Sequence, residues 1–270
     1  MEVKNQPIGI FDSGIGGLTV AKAIHETLPQ ERLVYFGDIA HLPYGDKSTA
    51  ALQAYAIKIC NVLLSMSCKM ILIACNSASA AAYDLVKEYV GSKAIVLNVI
   101  DPVVDHVAEH FPEQAVGLIG TRQTVNSNVY LKRIDAKNKG IKLQSLATPL
   151  LASMIEEGFY NNNISQSVID KYLADETLQD IRAIILGCTH YPLIKKEVAH
   201  FYKNEVEVID SSYIVADTVK QKLAEANLLR QHKAANSNTF LVSDYTKSFE
   251  ASSSLFFGES VKLQKYPLWD

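Results

Sequence analysis

The stretch KMILIACNSASAAAYDLV, residues 69–86, joins a short apolar run to a pattern typical of a helix. The run ends at Cys75, which is followed at once by the amide of Asn76 and the hydroxyl of Ser77. A buried strand that leads directly into a helix is typical of a βαβ unit, from which parallel sheets covered by helices are built. The stretch therefore predicts an α/β fold with Cys75 at the carboxyl end of a strand.

A second stretch repeats this arrangement further along the chain. In RAIILGCTHYPLIKKEV, residues 182–198, the apolar run ends at Cys188 and is followed by Thr189 and His190. Cys75 and Cys188 lie 113 residues apart. The repeat suggests that the two cysteines form a pair.

The other segments also alternate between strand and helix patterns, which predicts an internal duplication. Aligning IGIFDS with VGLIGT places Ser13 opposite Thr121 and the two cysteine segments at nearly the same offset. We predict two pseudo-symmetric doubly wound domains with largely parallel sheets and the active site in the cleft between them. The segments VEVIDSS, TFLVSDY and SVKLQKY near the end predict a return to the first domain, so the domains are residues 1–98 plus 211–270 and residues 99–210.

Composition and charge restrict the kinds of partner. The 270 residues include 26 lysines and arginines against 29 aspartates and glutamates, and no dense basic block is present. No nucleic-acid partner is therefore predicted. The start MEVKNQPIGIF lacks the apolar stretch of a signal peptide, and no apolar run approaches the roughly 20 residues of a membrane span. We expect a cytoplasmic protein without a membrane partner.

The cysteines do not follow a metal-binding spacing. None of the four, Cys60, Cys68, Cys75 and Cys188, forms a C-x-x-C pair, so no metal site is predicted. Cys60 and Cys68 flank the helical segment NVLLSMS and are predicted to lie in the core, where a thiol behaves as a small apolar group.

The glycine-rich stretch IFDSGIGGLTV does not match a nucleotide-binding loop. Thr19 stands where a dinucleotide fingerprint needs its third glycine, and no G-K-[ST] follows. The stretch instead predicts a strand, a tight turn and a helix start that direct Asp12 and Ser13 toward the ligand crevice, with a helix-capping role as the alternative. In the loop GDIAHLPYGDKS, Pro43, Tyr44 and Gly45 are candidates to cover a small ligand, or form a simple turn.

Two thiols from related halves suit one kind of chemistry. A thiol at a helix N-terminus is expected to have a lowered pKa and to act as a base, although a cysteine also closes buried strands without any function. Racemisation at a carbon acid requires a proton to leave one face and another to arrive at the opposite face. Two thiols that flank the carbon satisfy this requirement because their pKa values lie near neutral pH.

The chain resembles the glutamate racemases, of the cofactor-independent aspartate/glutamate racemase superfamily. Over nearly its whole length it carries, in order, the motifs FDSGIGGLTV, PYGDKS, ACNSAS, IGT, PLLASMIEEG, LGCTHYPLI and VIDSS. The resemblance implies interconversion of L- and D-glutamate without a metal or other cofactor, supplying D-glutamate for peptidoglycan. It leaves the assembly state open, with a homodimer as one option.

The same resemblance assigns residues to the site. Cys75 and Cys188 become the proton-transfer thiols, and Asp12 and His190 assist them. The residues placed around the substrate are Asp12, Ser13, Pro43, Tyr44, Gly45, Asn76, Ser77, Thr121, Glu156, Thr189 and His190. A charge on a helix surface is the alternative for Glu156.

Two positions depart from the family pattern. Ser77 stands where the family usually has threonine, which keeps the hydroxyl and loses a methyl group. His41 stands before PYG, at a position that is often arginine. We expect binding to persist with Ser77, while the resemblance assigns no consequence to His41.

Three other functions remain open at this point. An aspartate racemase or another related racemase would use the same chemistry on a different side chain. A cysteine hydrolase would use Cys188 with His190, although residues two apart on one turn are weak support for a nucleophile and its base. An amino-acid sensor would bind glutamate without catalysis.

Overall fold

The computed structural model describes residues 2–232 and 238–269, which contain ten strands and eleven α-helices. The strands are β1 (Ile8–Asp12), β2 (Leu33–Gly37), β3 (Met70–Ile73), β4 (Ile95–Asn98), β5 (Ala115–Gly120), β6 (Lys142–Ala147), β7 (Ala183–Gly187), β8 (Glu207–Ile209), β9 (Thr239–Val242) and β10 (Leu263–Lys265). The helices are α1 (Leu18–Thr27), α2 (Thr49–Ser65), α3 (Asn76–Val90), α4 (Ile100–His110), α5 (Arg122–Asn126), α6 (Val129–Asp135), α7 (Pro149–Glu156), α8 (Asn163–Leu173), α9 (Lys195–Phe201), α10 (Ser211–Glu225) and α11 (Lys247–Phe257). Within the described residues, none of the helices combines the length and apolarity needed to cross a membrane.

The strands form two sheets in which every pair of neighbours is parallel. The first sheet has the order β10-β9-β2-β1-β3-β4, and the second has the order β6-β5-β7-β8. The α/β fold with two parallel sheets is thus confirmed. The segments TFLVSDY and SVKLQKY supply β9 and β10 of the first sheet, as predicted, whereas VEVIDSS supplies β8, which pairs with β7 in the second sheet, so its predicted return to the first domain is wrong. The loop predicted around residues 233–237 lies outside the described residues.

The two sheets repeat one another. The order β2-β1-β3-β4 in the first sheet matches β6-β5-β7-β8 in the second. Ile8 of β1 lies opposite Met70 of β3, and Val116 of β5 lies opposite Ala183 of β7, so the two central strand pairs have equivalent registers. This agreement supports the predicted duplication.

Two helices cross from one sheet to the other. Helix α4 follows β4 of the first sheet, but it packs on α6 and its Val103 and Val107 share a core with Val116 and Ile185 of the second sheet. Helix α10 follows β8 of the second sheet and packs on α1. This exchange of helices between the sheets supports domain boundaries near residues 98 and 210. The boundaries themselves remain a prediction.

The largest apolar cluster continues from one sheet to the other. Ile8 and Ile10 of β1 belong to the same buried cluster as Ile184 and Leu186 of β7. Alternate residues of a strand face opposite sides of its sheet, and Phe11 accordingly lies in a second cluster beneath α2 and α3. Both faces of the central strands are therefore buried, as expected for parallel sheets.

Cys60 and Cys68 lie in this second cluster, which confirms their predicted place in the core. Burial raises the pKa of both thiols to about 12. They are therefore poor candidates for proton transfer near neutral pH.

A buried ion pair lies at the amino ends of β2 and β3. The Lys69 ammonium lies 2.7 Å from a Glu31 carboxylate oxygen and also donates to the carbonyls of Lys4 and Leu228, at 2.8 Å each. The other Glu31 oxygen accepts the N–H of Arg230 at 2.9 Å. Burial lowers the pKa of Lys69, and Glu31 opposes this shift. These bonds tie the segments before β1 and after α10 to one end of the first sheet.

Candidate active site

A cavity of about 420 Å³, including its mouth, lies where the carboxyl ends of β1 and β3 meet those of β5 and β7. In parallel sheets these ends carry the ligand-binding loops. The cavity is lined by Ser13, Leu42, Pro43, Tyr44, Gly45, Cys75, Asn76, Ser77, Thr121, Ala152, Ser153, Glu156, Gly187, Cys188, Thr189 and His190. The structure thus places every residue assigned by resemblance, except Asp12, in the lining of one cavity.

Four of the lining residues were not predicted from the sequence. Leu42 and Gly187 directly precede the predicted site residues Pro43 and Cys188, and Ala152 and Ser153 lie on α7. The i, i+3 spacing of Ser153 and Glu156 places both on one face of the helix. Helical periodicity was therefore a usable signal for Ser153 once Glu156 had been selected.

Cys75 is the N-cap residue of α3, and its sulfur accepts the N–H of Ala78 at 3.4 Å. The expected fall in pKa at a helix start is wrong for this thiol. Burial and then the negative charge of Asp12 raise the pKa of Cys75 far above its usual value, and the Ala78 bond offsets only part of this rise. Cys75 therefore holds its proton.

Cys188 ends a chain of three polar side chains. Its sulfur lies 3.6 Å from Nδ1 of His190, whose Nε2 lies 2.9 Å from a carboxylate oxygen of Glu156. Burial alone would lower the pKa of His190, but hydrogen bonds and charge interactions with Cys188 and Glu156 outweigh burial and raise it well above the usual value. Glu156 is therefore not merely a surface charge, and Cys188 and His190 do pair although they are two residues apart.

The glycine-rich turn allows this pairing through its close approach to His190. A Cβ atom on Gly16 would lie 2.5 Å from the His190 ring. Only glycine leaves enough room at this contact.

Asp12 lies behind the cavity wall and is completely buried. Its Oδ2 accepts the N–H of Gly17 at 2.7 Å and the hydroxyl of Thr189 at 3.4 Å, while Oδ1 has no partner among the described residues. Burial raises the pKa of Asp12, and the charge of His190 opposes the rise. Asp12 thus holds the turn that precedes α1, close to the role of the capping alternative.

Three hydroxyl groups connect the two sheets at the cavity. The Ser77 hydroxyl lies 2.8 Å from that of Thr121 and 3.4 Å from that of Thr124, and the two threonine hydroxyls lie 3.1 Å apart. Thr121 is also the N-cap of α5, where it accepts the N–H of Thr124. A serine at position 77 therefore retains the hydroxyl contact across the cleft.

Asn76 presents a donor in the cavity wall. The Tyr130 hydroxyl donates to Oδ1 of Asn76 at 2.8 Å, while the buried Nδ2 has no partner among the described residues. A buried polar group without a partner is costly, so Nδ2 of Asn76 is a candidate donor to a ligand.

The turn at residues 43–45 differs from its prediction in one respect. The Tyr44 phenol donates to Asp38 at 2.7 Å and is therefore already engaged, although Tyr44 lines the cavity. A Cβ atom on Gly45 would lie 2.7 Å from Cβ of Thr121, so the backbone approaches the second sheet closely. The turn narrows the cavity by its backbone position.

Within residues 2–232 and 238–269, no group of three or more His, Cys, Asp and Glu side chains is arranged to hold a metal ion. Independence from metals and other cofactors stays a prediction.

The family model described as Asp/Glu/Hydantoin racemase matches residues 9–219. The chain belongs to this racemase family. A curated glutamate racemase from Chlorobaculum parvum is 38% identical over 252 residues, which cover 93% of this chain and 92% of that protein. The crystal structure of the glutamate racemase from Francisella tularensis in complex with D-glutamate superposes with a TM-score of 0.91 at 40% identity, covering 98% of this chain and 99% of that chain.

An aspartate racemase shares the fold at a greater distance. The enzyme from Picrophilus torridus superposes with a TM-score of 0.58 at 18% identity, covering 83% of this chain and 99% of that chain. At this identity the similarity concerns the fold alone. The comparisons therefore favour the glutamate racemases within the family.

Proposed function

We propose that this chain interconverts L- and D-glutamate with two cysteines, Cys75 and Cys188, of which one removes the α-proton and the other delivers its own proton to the opposite face of the carbon. The observation that carries the proposal is that both cysteines, from equivalent positions in two repeated sheets, line one cavity. The glutamate racemases among its relatives support the choice of substrate.

The proton transfer balances with two groups. The Cys188 thiolate takes the α-proton of L-glutamate, which leaves a carbanion whose charge is shared with the carboxylate. The Cys75 thiol then gives its proton to the opposite face of the carbon, so D-glutamate forms. Afterwards Cys188 is a thiol and Cys75 is a thiolate, and the reverse reaction uses the groups in these states.

The surroundings of the two sulfurs suit this division. Interactions with Cys188 and Glu156 raise the pKa of His190, so the protonated ring places a positive charge beside the Cys188 sulfur. That positive charge stabilises the thiolate form of Cys188, in which the sulfur carries no proton. Burial and Asp12 keep the proton on Cys75, ready for delivery.

Polar groups of the wall would hold the substrate. Nδ2 of Asn76, which has no partner among the described residues, is suited to donate to a carboxylate, as are the hydroxyls of Ser77 and Thr121, and Thr189 lines the same cavity. Ser13, Pro43, Gly45 and the Tyr44 ring would limit the space around it. We propose that Asp12 contributes through the glycine-rich turn and Thr189.

The biological setting follows from the product. D-glutamate would serve peptidoglycan synthesis, and we place the enzyme in the cytoplasm. Neither a metal nor an organic cofactor takes part in the proposed steps. The assembly state is left open, with a homodimer as one option.

Circular dichroism tests the reaction directly. L-glutamate incubated with the purified protein should lose its optical signal, and so should D-glutamate, while L- and D-aspartate should keep theirs. Racemisation of aspartate in preference to glutamate would overturn the substrate assignment. An acyl-enzyme would indicate a hydrolase, and binding of glutamate without exchange of its α-proton in deuterated water would indicate a sensor.

A further inference from the structure

Asp38 is a completely buried carboxylate in the loop that follows β2. Oδ2 accepts the Tyr44 hydroxyl at 2.7 Å and Nδ1–H of His41 at 2.9 Å. Oδ1 accepts the Ser243 hydroxyl and the indole N–H of Trp269, both at 2.7 Å. Four side-chain donors thus surround one carboxylate that touches no residue of the proton-transfer chain.

The four donors come from two distant parts of the sequence. His41 and Tyr44 belong to the loop that walls the cavity, whereas Ser243 follows β9 and Trp269 lies near the end of the chain. The Ser243 hydroxyl also accepts the N–H of Ala40 at 3.0 Å. The carboxylate therefore connects the C-terminal segment to the cavity wall.

The position of this wall determines the width of the cavity. Tyr44 and Gly45 line it, and the backbone of Gly45 is in close contact with Thr121 on the opposite side. A movement of the turn by a fraction of an ångström would change this contact. The bonds to Asp38 hold the turn because a charged acceptor makes stronger hydrogen bonds than a neutral one.

His41 gains a role from the same arrangement. Its ring stacks on Tyr55, with centroids 4.1 Å apart, and meets the edge of Trp269 at 4.4 Å. The Lys58 ammonium lies over the Trp269 ring, 4.6 Å from its centre. An imidazole at position 41 thus fits between the aromatic rings while it still donates to Asp38.

We propose that Asp38 is a positioning residue through which Trp269 holds the Tyr44–Gly45 wall of the cavity in its substrate-binding position. The inference rests on the proposed glutamate racemisation and adds to it a contribution from the C-terminal segment.

Trp269→Phe tests the connection by removing the indole N–H while keeping an aromatic ring. We expect the KM for glutamate to rise about fivefold in both directions, with kcat changed less than twofold, because the wall affects binding and not the thiols. Lys58→Met is the matched control, since it removes the cation over the same ring and leaves the N–H in place. It should keep the wild-type KM.

A double-mutant cycle separates positioning from a general loss of structure. Tyr44→Phe breaks the bond between the wall and Asp38, so adding Trp269→Phe to it should raise KM little further. Equal thermal midpoints would show that the variants are folded. Independent effects in the cycle, or an unchanged KM in Trp269→Phe, would overturn the inference.

Fluorescence provides a second measurement because Trp269 is the sole tryptophan of the chain. D-glutamate should change its emission in the wild type and should change it much less in Tyr44→Phe at saturating substrate. An unaltered emission during binding would refute the connection. A wild type that does not racemise glutamate would instead refute the proposed function, and this inference with it.

Discussion

Cys75 and Cys188 occupy equivalent places in the two sheets. Each follows the first residue of its strand, Met70 or Ala183, by five positions, and those first residues have equivalent partners in the neighbouring strands. Their surroundings nevertheless differ. Cys75 lies at a helix start near Asp12, whereas Cys188 lies beside His190.

Replacing either thiol by serine should nearly abolish racemisation, because a hydroxyl is a far weaker acid and base. Residual α-proton exchange in deuterated water should favour opposite enantiomers in Cys75→Ser and Cys188→Ser. By resemblance we assign Cys75 to D-glutamate and Cys188 to L-glutamate. Proton NMR of each enantiomer measures the exchange, and the core variant Cys60→Ala is the control. The same preference in both variants would exclude the two-thiol mechanism.

Glu156→Gln should lower the pKa of His190 by removing a charge that raises it. Because the pKa of His190 is raised in the folded protein, charged His190 stabilises the fold fully below the pKa of an unfolded histidine, about 6.5. This stabilisation is lost as pH rises through the pKa of His190 in the folded protein. The alkaline fall of kcat/KM and of the unfolding midpoint should therefore move to lower pH in the variant. Glu157→Gln, an exposed neighbour, should leave both profiles in place. An unmoved alkaline limb in Glu156→Gln would contradict this role.

Ser77→Ala should lower kcat/KM. The fall should correspond to roughly 1 to 3 kcal/mol of lost transition-state stabilisation, the usual cost of leaving a buried polar partner unsatisfied. The partner here is Thr121, whose hydroxyl lies 2.8 Å away. Steady-state kinetics with both enantiomers would measure the loss. Ser77→Thr is the matched variant because it keeps the hydroxyl, and it should retain most of the activity. Wild-type kcat/KM in Ser77→Ala would remove Ser77 from the site.

Exhaustive dialysis against a chelator should leave the activity intact, since no step requires a metal. Carbonyl reagents should also have no effect. Alkylation of thiols should abolish activity, and saturating glutamate should protect against it. Restoration of a lost activity by a metal would show that the mechanism is wrong.

Lys69→Met should destabilise the fold by about 3 to 5 kcal/mol, because it leaves the buried Glu31 carboxylate without its counterion. Urea denaturation measures the change, and kcat should be unaffected because the pair lies at the other end of the sheet. The exposed pair of Lys4 and Glu2 provides the control, as Lys4→Met should cost little. Equal losses of unfolding free energy in Lys69→Met and Lys4→Met would mean that burial of the ion pair does not determine the destabilisation.

Local sequence patterns predicted the strands better than some of the helices. Apolar runs that end at Cys75 and Cys188 indicated buried parallel strands, and these are present. Helix α4 has a weak sequence signal because its apolar start continues directly from β4 and includes Pro102, which the first turn of a helix tolerates. Helix α11 has a weak signal because its serine-rich segment has little helical preference of its own.

The environment of each side chain was less accessible from sequence. A helix start alone favours a lowered thiol pKa, but the burial of Cys75 and its proximity to Asp12 depend on tertiary packing. The donors around Asp38 lie up to 231 residues away from it in sequence. No local periodicity relates such distant positions.

The apolar cluster shared by the two sheets has a consequence for unfolding. Separating the sheets would expose side chains of both, such as Ile10 and Leu186, so each sheet loses its largest apolar cluster when the other is lost. A continuous fragment that ends at residue 98 would also lack α10, β9 and β10. We therefore expect one cooperative transition in calorimetry, with equal calorimetric and van't Hoff enthalpies, although the chain consists of two repeated halves.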